Sequence, residues 1–197
     1  MKIAITGNIG SGKSTFSNFA EDAGFIVLKA DDISKKILEN DEKVKSLVIK
    51  EFGQQSFTDK TPNKTYLAKE VFANLDKLKK LECILHPRVI KKINNYFRAN
   101  EKNNKTIFVE AALIYEADME SMFDYVVLIT SERNLRLERK VKSGLTENDF
   151  NKRESNQIPE EEKKKRADFI FSNNSSKEEL KKKFDLLLLT LGVYKST

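Results

Sequence analysis

Short apolar runs punctuate the chain at residues 2–6 (KIAIT), 25–28 (FIVL), 106–110 (TIFVE), 125–130 (YVVLIT) and 169–171 (FIF). These runs are apolar on both faces instead of alternating, the pattern of strands buried under helices in a parallel sheet. Between the first two, Phe16, Phe19, Ala20 and Ala23 recur at helical spacing, and Gly24 stands where a helix ends. The result is a strand, a turn, a helix and a strand, a βαβ unit. A charged helix spans about 132–143 and closes at Gly144. Another helix starts at Thr146 and is interrupted by Pro159. Ser176 and Glu179 form a capping box ahead of a last helix whose stripe is Leu180, Phe184, Leu187, Leu188 and Leu191.

Residues 33–99 break this rhythm. Val44, Leu47 and Val48 predict a helix that stops near Gly53, and residues 52–65 (FGQQSFTDKTPNKT) read as a loop. Leu75, Leu78, Leu81 and Leu85 mark a further helix. Pro87 is expected to divide it from one carrying Ile90, Ile93 and Phe97, and residues 100–105 (NEKNNK) end the segment in a turn. Strands alternating with helices around a helical insertion predict an α/β fold with a doubly wound parallel sheet.

Composition adds bounds. The 197 residues suffice for one core with inserted subdomains, 39% are apolar and 34% are charged. No run approaches the roughly 20 apolar residues of a membrane span, and the chain enters a strand at once, without the pattern of a signal peptide. The single cysteine, Cys83, cannot form an internal disulfide, and a reducing cytoplasm is expected. Its place in an apolar helical stretch marks it as core. The net charge of +6 suits either a polyanionic partner or a lysine-rich solvated surface. The runs 160–166 (EEEKKKR) and 180–184 (LKKKF) mix signs at helical spacing and read as solvated faces.

Three of the chain's seven glycines fall within residues 5–15 (ITGNIGSGKST). Gly7 to Ser14 satisfy G-x-x-x-x-G-K-[ST], the phosphate-binding loop, with a strand predicted before it and a helix after. Glycine lets successive backbone N–H groups of Asn8, Ile9, Gly10, Ser11 and Gly12 curl toward phosphate oxygens, closer than a β-carbon allows. Lys13 reaches the β- and γ-phosphates, the Ser14 hydroxyl ligates Mg²⁺, and Thr15 adds a hydroxyl toward the α-phosphate. These residues together make a nucleoside triphosphate site. Guanine-reading N-K-x-D is absent, which sets a switch GTPase aside. Asp31, in KADD at the end of the second strand, is placed either to accept a proton from an attacking hydroxyl or to cap a helix, with Asp32 an equal candidate for the cap. Glu110 ends a strand and is a candidate to act on Mg²⁺ through water. His86 is the only histidine, and its place in the helical insertion suits a structural or acceptor-binding role better than a general base. Tyr66, Phe72 and Tyr96 are core residues by default.

At this point the chain resembles the dephospho-CoA kinase family over most of its length. Lys29-Ala30-Asp31 stands where the family has D-A-D, and Leu85-His86-Pro87 matches L-H-P. Glu110 to Glu116 matches D-x-P-L-L-x-E with Ala112 in place of proline. In the lid helix Arg139 matches a family arginine and Lys142 stands near a second. Arg153 and Gln157 fit R-x-x-x-Q, and Ala167, Asp168 and Asn173 fit A-D-x-x-x-x-N, with Ser175 for the usual glycine. The resemblance implies a P-loop kinase-type fold with a nucleotide-binding core (1–32, 104–131 and 166–197), a helical acceptor-binding insertion (33–103) and a helical lid (132–165). It implies transfer of the ATP γ-phosphate to the 3′-hydroxyl of dephospho-CoA. ATP would be held by residues 8–15 with Arg139 and Asn173, and Mg²⁺ by Ser14 with Glu110. Asp31, Lys13 and Arg139 would be catalytic, and Thr6, Asp31, His86 and Arg153 would face the acceptor. A monomer or small homo-oligomer is expected, with no nucleic-acid or membrane partner. Two rivals remain: another small-molecule kinase of the same architecture, and a regulatory P-loop ATPase binding nucleic acid.

Overall fold

The five apolar runs pair into one parallel sheet. The structure, a computed structural model, describes residues 1–101 and 105–193, and of Phe72 and Ala73 the backbone alone. Strands β1 (Lys2–Thr6), β2 (Ile26–Lys29), β5 (Ile107–Glu110), β6 (Tyr125–Thr130) and β7 (Phe169–Ser172) lie in the order β2-β5-β1-β6-β7, every pair parallel. The connection leaving β1 crosses β5 to reach β2, whereas that leaving β6 runs the other way to β7. Their carboxyl ends flank the point where open α/β sheets place a ligand.

Two compact units divide the chain, Met1–Lys29 with Asn100–Thr197, and Ala30–Ala99. The first holds the sheet with α1 (Lys13–Asp22), α6 (Arg133–Lys142), α7 (Glu147–Ser155), α8 (Glu160–Arg166) and α9 (Lys177–Thr190). Its core gathers Ile3, Ile5, Phe16, Phe19, Phe108, Val127, Ile129 and the α9 stripe Leu180, Phe184 and Leu187. Phe184 is fully buried among the rings of Phe16, Phe19 and Phe108, at centroid distances of 5.4, 6.1 and 6.1 Å. Each such pair adds about 0.5–1.5 kcal/mol beyond area burial. The helix starts agree with the sequence. Thr146 Oγ1 accepts from Asp149 N at 3.1 Å, and Ser176 Oγ accepts from Glu179 N at 3.3 Å. Glu179 turns instead to Lys182, 2.6 Å away. Lys163 departs from expectation: within the charged run 160–166 its side chain is fully buried.

The second unit is helical. It comprises α2 (Ala30–Asn40), α3 (Glu42–Phe52), α4 (Lys64–Ala73) and α5 (Leu75–Asn100) around Val44, Val48, Phe52, Phe57, Leu67, Val71 and Leu85. Asp41 caps α3 by accepting from Lys43 N and Val44 N, and Asn63 caps α4 through Tyr66 N. The Tyr66 hydroxyl donates to the Phe52 carbonyl at 2.9 Å.

Three expectations change in this unit. The segment taken as loop contains a two-residue antiparallel pairing of β3 (Phe57–Thr58) with β4 (Thr61–Pro62), too short to give a periodic signal. Pro87 does not end its helix; α5 runs through it. An interior proline costs about 3 kcal/mol, but Leu85, Val89, Ile93 and Phe97 continue one buried stripe across it. Each contributes about 1.5–3 kcal/mol. Arg88 Nη1 also donates to the Ile84 carbonyl at 2.7 Å beside the break. Cys83 is exposed, because two residues before buried Leu85 is the opposite face of a helix. The side chain of Phe72 and the 103/104 boundary lie outside the described residues. No helix among the described residues is long and apolar enough to cross a membrane.

Candidate active site

The turn after β1 passes through three glycines with positive φ, Gly7 (150°), Gly10 (78°) and Gly12 (102°), the last serving as N-cap of α1. What crowds them is the protein's own backbone and side chains. A β-carbon on Gly7 would stand 2.2 Å from the Ile129 carbonyl oxygen. On Gly10 it would stand 2.6 Å from the Arg136 carbonyl oxygen, and on Gly12 2.1 Å from Asn173 Nδ2. Close packing from beyond residue 128 therefore requires glycine even before any phosphate arrives.

That packing is matched by a polar clamp on the loop. Ile9 N donates to Gln157 Oε1 at 2.9 Å, and the Ile9 carbonyl accepts from Arg136 Nη1 at 3.3 Å. Arg139 Nη1 reaches the Gly10 carbonyl at 3.4 Å and Ser131 Oγ at 3.0 Å, and its Nη2 donates to the Asn173 carbonyl at 2.8 Å. Asn173, itself nearly buried, donates from Nδ2 to the Ser11 carbonyl at 2.8 Å. Arg136 is 6% exposed and pairs with Glu154 Oε1 at 2.7 Å, so its buried charge is compensated. Two atoms of the loop, Asn8 Oδ1 and Ser11 Oγ, are buried without a protein partner.

At the helix end of the loop, Lys13 Nζ lies 3.4 Å from the Asn8 carbonyl. Exposed Ser14 donates to Glu110 Oε1 at 2.6 Å, and buried Ser17 donates to Glu110 Oε2 at 2.7 Å. Glu110 is in register with Ile5 on β1 and Lys29 on β2, which holds its carboxylate over the start of α1. An exposed hydroxyl beside a carboxylate is an all-oxygen donor set of the kind Mg²⁺ takes together with phosphate and water. Among the described residues no three His, Cys, Asp or Glu side chains form a group that could hold a metal ion.

The structure thus brings Ile9, Gly10, Ser11 and Gly12 together with Arg139 and Asn173, and Ser14 together with Glu110. Thr15 comes next on α1. Thr6 is fully buried, and its hydroxyl lies 3.5 Å from the Ala112 carbonyl. Arg153 is exposed in the last turn of α7. Lys29, standing for a family acid, turns to α1, with Glu21 Oε2 at 3.0 Å and Asn18 Oδ1 at 3.1 Å. Asp31 and His86 belong to the helical unit. Helix α2 starts at Ala30, so Asp31 and Asp32 lie inside its first turn and neither is the cap. Asp32 pairs with Lys35 at 3.1 Å and Asp31 is exposed. Three residues of this site escaped sequence reasoning as functional groups: Arg136, Ser17 and Gln157, although Gln157 stood in a family motif.

The profile of the family described as "Dephospho-CoA kinase" matches residues 1–179. The chain belongs to the dephospho-CoA kinase family. A dephospho-CoA kinase of Chlamydia abortus is 35% identical over 141 residues, covering 71% of this chain and 70% of that one. Among solved structures, a Thermus thermophilus protein is similar at a TM-score of 0.79 and 32% identity, with 97% of each chain covered. The dephospho-CoA kinase from Campylobacter jejuni is similar at 0.71 and 30%, covering 97% of this chain and 98% of that one. Members of the dephospho-CoA kinase family are ATP-dependent kinases with a hydroxyl acceptor, and the P-loop kinase fold predicted for the chain is the one observed.

Proposed function

We propose that this chain transfers the γ-phosphate of ATP to the 3′-hydroxyl of dephospho-CoA, giving CoA and ADP, with residues 8–15 as the donor site. The observation that carries the reading is the glycine turn opening α1 beside the Ser14–Glu110 pair, in a chain whose family match spans 1–179. Phosphoryl transfer is largely positioning and charge neutralisation. Loop amides and the α1 N-terminus receive the phosphates, Lys13 reaches their β- and γ-oxygens, and Arg139 offsets charge as the bond to the leaving oxygen lengthens. Mg²⁺, held by Ser14 with Glu110 nearby, neutralises phosphate charge when bound. Asp31 orients the acceptor hydroxyl and takes its proton as the oxygen bonds to phosphorus and the bond to the β-phosphate breaks, releasing ADP. His86 and Arg153 are assigned to the acceptor, residues 33–103 to its binding and 132–165 to a lid. A cytoplasmic location accords with the substrates.

Purified protein with Mg·ATP and dephospho-CoA, its product identified by mass, tests the reading. CoA is expected, and Asp31→Ala is expected to lose about a hundredfold or more in kcat. Free nucleosides as better acceptors, or an unimpaired Asp31→Ala, overturn the substrate and the base assignment respectively.

A further inference from the structure

Glu116 is a largely buried carboxylate that the reaction does not use, and it sits next to the clamp on the phosphate loop. Its Oε1 accepts from Ile158 N at 2.9 Å and lies 2.8 Å from Nζ of Lys163, whose side chain is fully buried. The residue before Ile158 is Gln157, whose Oε1 holds Ile9 N. Gln157 N in turn donates to the Glu154 carbonyl at 3.0 Å, and the Glu154 carboxylate holds Arg136, which holds the Ile9 carbonyl. The Ile9 carbonyl is therefore held from the end of α7 and the Ile9 N–H from the turn that follows it, and Glu116 holds that turn by accepting from Ile158 N.

We infer that Glu116, neutralised by Lys163, is a positioning residue for the nucleotide: it sets the 156–159 turn so that Gln157 holds the loop in its phosphate-receiving form. A buried lysine and a largely buried glutamate are costly to desolvate and bring little net stability by themselves. Their use here is geometric, because an acceptor with a fixed place is what Ile158 N requires. The inference rests on residues 8–15 being the ATP site, and it predicts that losing the Glu116 acceptor and losing Gln157 have one and the same consequence.

The test compares two double variants that both remove the buried charges. E116Q/K163M keeps an oxygen for Ile158 N, and E116L/K163M does not. A hydrogen bond of this kind is worth about a threefold to tenfold change in an equilibrium. E116L/K163M and Q157A are each expected to raise the KM for ATP by about that factor, with the KM for dephospho-CoA unchanged and E116Q/K163M close to wild type. Combining E116L/K163M with Q157A is expected to add nothing further, since both break one relay. Amide exchange at Ile9, read without nucleotide, is expected to speed up in Q157A and E116L/K163M alike. Equal ATP KM in the two double variants, additive effects, or an Ile9 amide indifferent to Gln157 each overturn the inference. Should both double variants fail to fold, the single substitution Glu116→Ala decides it: its Ile9 amide is expected to exchange faster, as in Q157A, and an unchanged rate overturns the inference. A wild-type protein that binds no ATP refutes the donor-site reading instead, and the exchange measurement still reports on the relay.

Discussion

In the phosphate loop, Ile9, Gly10 and Ser11 give their backbone groups to Gln157, Arg136, Arg139 and Asn173, all more than a hundred residues away. In the helical unit the backbone is tended by local caps, Asp41, Asn63 and Asn74, and the long-range work is done by apolar side chains around Val44, Val48 and Phe52. Polar clamps are directional and leave a loop one conformation, which suits a site that receives charge without reorganising. Apolar packing tolerates volume-conserving adjustment, which suits a unit assigned to a long and varied acceptor. The phosphate loop and the helical unit are thus held by different interactions.

The largest expected effect falls on the donor side. Lys13→Ala should lower kcat/KM about a thousandfold while circular dichroism shows an intact fold; activity near wild type would remove the loop from the chemistry. Next, Leu67→Ala, in the apolar core of the helical unit, should cost about 2–5 kcal/mol of stability and leave the KM for ATP alone. A matching loss of ATP affinity would break the separation between the loop and the helical unit. A glycine pair sharpens it further. Gly12→Ala meets both a positive φ and Asn173 at 2.1 Å, whereas Gly144→Ala meets a positive φ in open space. Denaturant melts should show a loss of about 3 kcal/mol or more for the first and about 1 kcal/mol for the second; equal losses would mean the contact with Asn173 does not constrain the loop.

The smallest effect is a titration. Burial pushes the Tyr115 hydroxyl up to about 12, against the opposing charge of Arg166, whose guanidinium lies 4.5 Å from its ring centre. Because the folded state keeps this proton longer than the unfolded chain, its contribution to stability is present below about pH 10 and is lost as pH rises toward 12. Ultraviolet absorbance should show a late tyrosine phase, and Tyr115→Phe should remove it.

Local chemistry was legible in the sequence. The glycine loop, the doubly apolar strands, Gly24 at the end of α1 and the Thr146 and Ser176 caps each depend on neighbours a few residues apart. Contacts set by the tertiary fold were not. Ser17 meets Glu110 and Gln157 meets Ile9 across gaps of 93 and 148 residues, for which no periodicity exists. Lys163 sits in a run that reads as solvent-facing, and it is buried in an ion pair with Glu116, 47 residues away. Pro87 and the β3–β4 pairing failed for the opposite reason: a strong local cue was outweighed by a buried stripe at the first, and a two-residue strand gave almost no cue at the second.

The crowding at Gly7, Gly10 and Gly12 has a bearing on ancestry. The Ile129 and Arg136 backbone and the Asn173 side chain crowd those three places by themselves, so the motif is retained by architecture as well as by ligand. A descendant that had lost its catalysis would still have to carry the same glycines for as long as it kept this sheet. In such a lineage, decay of function would surface first at Lys13, Ser14 and Asp31, where the architecture makes no comparable demand.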